Sequence, residues 1–173
     1  MLEWIAAICL LGAVIVLTIL SFIDIKTRLL PNELVLGFAT LAFVFHLTTM
    51  ARFVSIPNIV LGGIIGFSTL FLIRSIANKL YGTDALGLGD VKLMGAAGLW
   101  LGPDMIMMAM SMGALASLVH GLIHGLIAAK KTKTKPDFVN MQIPAGPGFA
   151  AGIVLAAIWK FHTFNPLHPP DLF

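Results

Sequence analysis

The chain has 173 residues, of which 58% are hydrophobic and only 11% are charged, and its mean hydropathy is +0.97. This balance excludes an ordinary soluble domain, in which about a quarter of the residues are charged. The net charge of +3 does not indicate nucleic-acid binding, because the basic residues neither form one face nor alternate with exposed aromatic residues. The composition therefore predicts a polytopic membrane protein.

Six apolar runs, separated by polar segments, have lengths suited to a hydrocarbon core about 30 Å thick. We predict an all-α fold, a bundle of six transmembrane helices forming a single domain of residues 1–173. The predicted helices cover residues 4–23, 34–50, 58–77, 85–101, 105–128 and 145–162. The first run lacks a basic flank and a small-residue cleavage site, so we expect it to be retained rather than removed as a signal peptide.

The fourth run is unusual because it is short and begins with Gly87-Leu88-Gly89-Asp90. Residues 91–101 supply only roughly 16 Å of helix, so the helix either begins near Ala85 or belongs to a re-entrant segment. Both interpretations place Asp90 below the membrane surface, where a carboxylate is costly unless it serves a function. The two glycines would let a substrate backbone approach Asp90, or simply form a turn.

Small residues at four-residue spacing mark two of the predicted helices. Gly62 and Gly66 form such a pair in the third helix, which favours close helix packing. A longer ridge follows the fifth helix after the turn predicted at Gly102-Pro103-Asp104, and it predicts a tightly packed central helix. The ridge consists of Ala109, Gly113, Ser117, Gly121 and Gly125.

The positions of lysine and arginine predict the orientation of the helices. Nine of the eleven follow helices 1, 3 and 5, including Lys26, Arg28 and four lysines of residues 130–135, whereas only Arg52 and Lys160 lie at the opposite ends. Cytoplasmic loops carry the excess of such residues, so we expect the N-terminus outside. Because Asp24 follows helix 1 and Asp90 begins helix 4, the same orientation places both aspartates on the cytoplasmic side.

Two neighbouring carboxylates in a setting of low dielectric do not both ionise easily, so one stays protonated and the other acts as a base. Such a pair can activate a water molecule for attack on a peptide carbonyl and then protonate the departing nitrogen, without a cofactor or a metal. Alternatives remain for each residue. Asp24 can be an interfacial carboxylate paired with Lys26 or Arg28, Asp90 can be a proton relay, and Lys92 can be a snorkelling or ion-pairing side chain.

His120 and His124 lie four residues apart and can in principle share a metal, but no third ligand lies near them in the sequence. We therefore interpret them as packing or interfacial residues. The single Cys9 excludes both a disulfide framework and a cysteine zinc site within this chain.

Three segments resemble the type IV prepilin peptidases, which belong with the GxGD-type intramembrane aspartic proteases. They are Gly87-Leu88-Gly89-Asp90-Val91-Lys92-Leu93, the stretch from Asp24 through Pro31-Asn32, and Ile143-Pro144-Ala145-Gly146-Pro147-Gly148. Their order and spacing agree with that family along nearly the whole chain. The compact length resembles the short peptidases of Flp/Tad-type pili.

The resemblance implies an endopeptidase of the inner (plasma) membrane that removes the basic leader of prepilin-like substrates at the cytoplasmic face. Asp24 and Asp90 would be its catalytic pair. Residues of the three motifs would support the site or bind substrate: Gly87, Gly89, Lys92, Pro31, Asn32, Pro144, Gly146 and Pro147. The four-cysteine zinc-binding insertion of the longer members is lacking, which places N-methylation in doubt.

Two other function classes stay open at this point. Asp24 and Asp90 could carry protons in a small proton- or ion-coupled transporter, although the sequence shows no internal repeat of the kind many transporters have. A non-enzymatic assembly factor for a secretion or pilus apparatus is the third interpretation. We expect membrane lipid but no nucleic acid as a partner, and the sequence leaves homo-oligomerisation open.

Overall fold

A computed structural model describes residues 1–82, 86–132 and 144–167 of the chain. All regular secondary structure in these ranges is helical. The helices are α1 (Leu2–Thr27), α2 (Asn32–Thr48), α3 (Ile56–Tyr81), α4 (Leu88–Thr132) and α5 (Gly146–Phe161). The predicted all-α class is confirmed.

Helix α4 is interrupted at Gly102, whose φ of 74° and ψ of 177° are not helical. Glycine tolerates this positive φ, and Pro103 fixes the start of the segment that follows. A Cβ placed at Gly66 of α3 would contact both Met94 and Ile106, so these two residues lie at the same height in the bundle. The chain therefore reverses at the predicted Gly102-Pro103 turn, and we call residues 88–101 and 103–132 the first and second arms of α4.

By length and composition, α1, α3 and residues 88–127 of α4 qualify among the described residues as segments that could cross a membrane, the last of them divided into two arms at Gly102, whereas α2 and α5 are shorter apolar helices. Together with the composition, these helices make the chain a membrane protein. The count of six membrane spans and the orientation of the N-terminus stay predictions.

Several predicted helix boundaries differ from the structure by two to four residues, including the end of α3 at Tyr81 rather than residue 77, and three of the differences bear on the site. Helix α1 continues past residue 23 to Thr27 and ends where Arg28 adopts a left-handed φ of 55° and donates its N–H to the Asp24 carbonyl at 2.8 Å. Helix α2 begins at Asn32 rather than residue 34, because Pro31 has a φ that suits a helix start. Helix α4 begins at Leu88 rather than residue 85, and Arg74 Nε holds the preceding Leu86 carbonyl at 2.8 Å.

Both predicted small-residue stripes lie at close helix contacts. A Cβ at Gly62 would lie 2.7 Å from Gly102 Cα and would also collide with the Gly98 carbonyl, so α3 and the first arm of α4 touch backbone to backbone. On the second arm, Ala109, Gly113 and Ser117 contact Gly148 and Gly152 of α5 in the same way. The packing of the ridge as far as Ser117 is thereby confirmed.

Aromatic side chains cluster at the end of the bundle where α2 and α5 finish, which we call the aromatic end. Its members are Phe45, Phe53, Trp100, Phe161 and Phe164. The buried His46 donates from Nε2 to the Leu99 carbonyl at 2.9 Å. That carbonyl needs a partner because Pro103, four residues further along, has no N–H to donate.

Candidate active site

Asp24 lies in the last turn of α1, and its side chain points into the bundle with only 5% of the residue exposed. Its Oδ2 accepts a hydrogen bond of 2.9 Å from the backbone N–H of Gly146, which is the first residue of α5. A helix N-terminus carries partial positive charge and unpaired N–H groups, so it stabilises a carboxylate placed there. The positive charge of Arg28 also acts on Asp24.

Asp90 is the third residue of α4 and is 7% exposed. Its Oδ1 atom is buried and has no hydrogen-bond partner within the described ranges. The carboxylates of Asp24 and Asp90 lie close enough to interact electrostatically. The structure therefore brings together the two aspartates that the sequence singled out, which are 66 positions apart, at what we call the dyad end of the bundle.

Glycines adjoin both carboxylates. A Cβ at Gly146 would lie 2.7 Å from Asp24 Oδ2, and a Cβ at Gly87 would lie 3.0 Å from Asp90 Oδ2. Neither position has room for a larger side chain without displacing a carboxylate. Gly89 differs, because a Cβ there would lie 2.8 Å from the Cβ of Leu30, so its contact is with the segment between α1 and α2. Glycine at residue 89 serves packing in this structure, which the sequence did not indicate.

Lys92, Asn32 and Pro31 form a second group at the same end. Pro31 precedes the first residue of α2, and the Oδ1 of Asn32 accepts a 2.9 Å hydrogen bond from Lys92 Nζ. Lys92 follows Asp90 by two helical positions, so the two side chains point to opposite sides of the first arm. The structure therefore separates Lys92 from the aspartate pair.

The Pro/Gly segment begins α5. Pro144 lies two residues before the helix and Pro147 in its first turn, where proline is compatible with a helix start. Ser117 Oγ donates to the Ala145 carbonyl at 3.1 Å, which ties this segment to the second arm of α4. Ser117 and Leu30 are supporting residues that sequence reasoning did not assign to the site. For Ser117, its place on the small-residue ridge was the available signal.

The arrangement suits acid–base chemistry. One carboxylate is hydrogen-bonded to a backbone N–H and the other has an unpartnered oxygen, so the two groups have different environments, as an acid and a base require. Across the described part of the chain, no group of three His, Cys, Asp or Glu side chains is placed to hold a metal ion. The side chain of His124 lies outside what the structure describes.

The sequence profile of the type IV leader peptidase family matches residues 11–126. Proteins called prepilin leader peptidase/N-methyltransferase are similar along most of the chain. The one from Pectobacterium carotovorum is 37% identical over 91% of this chain and 54% of its own length. The one from Dickeya chrysanthemi is 35% identical over 72% of this chain and 46% of its own length. The one from Aeromonas hydrophila is 32% identical over 83% of this chain and 47% of its own length.

The chain thus spans about half the length of the curated relatives it matches. No solved structure matches it.

Proposed function

The chain belongs to the type IV leader peptidase family, and from that premise we propose that it is an aspartic endopeptidase that removes the leader of type IV prepilin-like precursors. The observation that supports this proposal most directly is the pair of buried carboxylates at the dyad end, one of which has an oxygen with no hydrogen-bond partner among the described residues. A buried polar atom of this kind costs free energy, so its retention points to a reacting partner.

In the proposed reaction, Asp24 is the ionised carboxylate, because the N–H of Gly146 and the charge of Arg28 stabilise its negative charge. Asp24 accepts a proton from a water molecule as the water oxygen bonds to the scissile carbonyl carbon. Asp90 holds the second proton and donates it to the peptide nitrogen as the carbon–nitrogen bond breaks. The proton taken from water then passes from Asp24 to Asp90, which restores the starting protonation of the pair, so neither aspartate is consumed.

We place this reaction at the cytoplasmic face of the inner membrane, with the N-terminus outside. The excess of lysine and arginine after the first, third and fifth predicted helices supports that orientation. A prepilin carries a basic leader followed by an apolar helix, so the scissile bond would lie at the membrane surface while the helix stays in the bilayer. The proposal covers hydrolysis alone and includes no N-methyl transfer.

A proton-coupled transporter also uses paired intramembrane carboxylates, and the unpartnered Asp90 Oδ1 fits that function too. The two functions differ in what Asp24→Asn and Asp90→Asn should do to a prepilin. The test is to coexpress each variant with a prepilin bearing a C-terminal epitope tag and to measure the precursor and the processed form on a gel.

We expect each variant to slow processing by about a hundredfold or more, because each removes one partner of the acid–base pair. Asp104→Asn is the matched control, since Asp104 is exposed at the start of the second arm, at the end of the bundle away from the aspartates. Normal processing by both Asp24→Asn and Asp90→Asn would refute the peptidase proposal and leave the transporter.

A further inference from the structure

An apolar groove of about 760 Å³ opens between α2 and α3, and its floor is the first arm of α4. The walls carry Val35, Leu36, Val60, Ile64 and Phe67, and the floor includes Gly95, Ala96 and Leu99. Gly95 packs against α3, because a Cβ there would lie 3.1 Å from the Cβ of Phe67, so the floor and this wall of the groove are in direct contact. The groove therefore has the shape and polarity to take an apolar helix from the bilayer.

One end of this groove is polar. Among the described residues that line the groove, Lys92 alone is charged, and its Nζ donates a hydrogen bond to the neutral side-chain amide of Asn32. A cation in a membrane-embedded apolar groove is stabilised by an anion far more than by an amide oxygen. The groove is thus complementary to an apolar helix that carries one carboxylate at the level of Lys92.

We propose that this groove binds the apolar helix of the prepilin-like substrate, with a carboxylate near the start of that helix paired to Lys92. The inference rests on the proposed peptidase function and names the surface that holds the substrate. The substrate helix would then lie between α2 and α3, against the first arm of α4.

The route from the groove to the catalytic pair follows from helix geometry. Asp90 and Lys92 point to opposite sides of the first arm, so the substrate must leave the groove and cross the start of α4. A helix is about 10 Å wide with its side chains, and an extended chain covers about 3.3 Å per residue, so roughly three or four extended residues make the crossing. At Gly87 there is no side chain to obstruct them.

A second cavity, of about 330 Å³, lies between α1 and α5, and it is a weaker candidate. It includes Leu10, Leu17, Trp100 and Phe161, and so extends towards the aromatic end. Its residue nearest to Asp24 in sequence is Leu17, seven positions and roughly 10 Å of helix away. Its lining, as far as the described residues show, contains neither lysine nor arginine to complement an acidic helix.

Cross-linking tests whether the apolar helix of the substrate binds in this groove. A photoreactive amino acid replaces Ile64 in the groove or, as the control, the lipid-exposed Leu118 on the second arm. Both proteins also carry Asp90→Asn, so that substrate accumulates uncut. The probe is a membrane reporter with a short Lys-rich leader, an apolar helix of about 20 residues and an epitope tag. We expect at least about fivefold more reporter cross-linked at residue 64 than at residue 118.

Equal cross-linking at residues 64 and 118 would overturn the proposal that the groove binds the substrate helix, and so would the lack of cross-linking at both residues. Processing by Asp24→Asn and Asp90→Asn is measured separately. If these variants process normally while the reporter cross-links at residue 64, the catalytic proposal fails and the groove stands. If they are inactive but residue 64 does not cross-link, the groove fails and the catalytic proposal stands.

Charge exchange tests the pairing. Reporters carry glutamate or glutamine at successive positions in the first two turns of the apolar helix, and their half-times of processing are compared. With the wild-type protein we expect one position at which glutamate is processed about tenfold faster than glutamine. With Lys92→Gln that ratio should fall to about one, and Lys92→Glu should instead favour a reporter with lysine at that position.

A ratio that stays near tenfold in Lys92→Gln would overturn the pairing with Lys92, as would the lack of any favoured position with the wild-type protein. Thermal unfolding of each variant is recorded beside the rates. Lys92→Glu keeps the test valid even if substitution lowers stability, because only direct pairing predicts a gain for the lysine reporter.

Discussion

The dyad end and the aromatic end both bury polar groups, but they treat them differently. At the aromatic end, His46 Nε2 binds the Leu99 carbonyl at 2.9 Å, and Trp100 Nε1 donates to the Phe38 carbonyl at 3.0 Å. At the dyad end, two carboxylates lie near one another and Asp90 Oδ1 has no partner within the described ranges. The first arrangement stabilises the fold. The second buries a carboxylate oxygen at a cost in free energy, and a catalytic role for that carboxylate would explain why it is there.

His46 Nδ1 is also buried and has no partner in the part of the chain that the structure describes, so the contrast depends on the kind of atom as well as on the number of partners. A neutral imidazole nitrogen loses much less solvation on burial than a carboxylate does, because the carboxylate can carry a full charge. His46 already satisfies the backbone through its other nitrogen. We therefore infer that His46 stabilises the fold and that Asp90 takes part in the proposed reaction.

The glycines show the same division. At the dyad end a side chain at residue 146 would meet a carboxylate, whereas a side chain at Gly62 or Gly98, near the aromatic end, would meet the backbone of a neighbouring helix. Substitutions should accordingly separate activity from stability, and four of them test the comparison in order of decreasing effect.

The largest effect is expected for Gly146→Ala. Its Cβ would lie 2.7 Å from Asp24 Oδ2, and the resulting shift of the carboxylate should slow prepilin processing by about a hundredfold. Gly37→Ala is the control, because a Cβ at Gly37 has no neighbouring atom within 4 Å. Processing half-times are compared at equal amounts of folded protein. If Gly146→Ala matched Gly37→Ala in rate, the contact with Asp24 would have no catalytic role.

Gly98→Ala should act on stability instead. The added Cβ would collide with the Gly62 carbonyl of α3, and we expect a loss of up to about 3 kcal/mol in the free energy of unfolding. Unfolding is followed by thermal denaturation in detergent, again beside Gly37→Ala. The folded fraction of Gly98→Ala should keep its processing rate. An unchanged unfolding temperature would contradict the close contact between α3 and α4.

His46→Leu should destabilise the aromatic end by about 2 kcal/mol. The substitution removes the hydrogen bond that the part-buried Leu99 carbonyl accepts from His46, and Pro103 cannot supply another. Activity per folded molecule should stay within about twofold of wild type, because His46 lies at the end of the bundle away from the aspartates. A loss of activity as large as that of Asp90→Asn would overturn the division between the two ends.

The smallest effect is expected for Arg52→Gln. Arg52 and Glu3 form an ion pair at 3.9 Å with side chains 34% and 20% exposed, and such pairs contribute below about 1 kcal/mol. The unfolding temperature should shift by only a few degrees, and raising the salt concentration should reduce the difference from wild type. A large shift that salt does not alter would show that the pair is more strongly coupled to the bundle than its geometry indicates.

The sequence by itself determined the helical class and drew attention to the two aspartates. Apolar runs must form hydrogen-bonded helices in lipid, and a carboxylate such as Asp90 stands out because lipid makes it costly. The turn at Gly102-Pro103 and the small-residue stripes were predictable for similar local reasons. Each of these features depends on residues that are close together in the chain.

Only the tertiary structure decided which groups meet at the dyad end. The N–H of Gly146 reaches Asp24 across 122 positions, Leu30 occupies the space beside Gly89, and Lys92 points away from Asp90 into the groove. His46 became significant only because α2 lies against the carbonyl that Pro103 leaves without a donor. These contacts depend on how the helices pack, and packing involves side chains that no local pattern in the sequence places together.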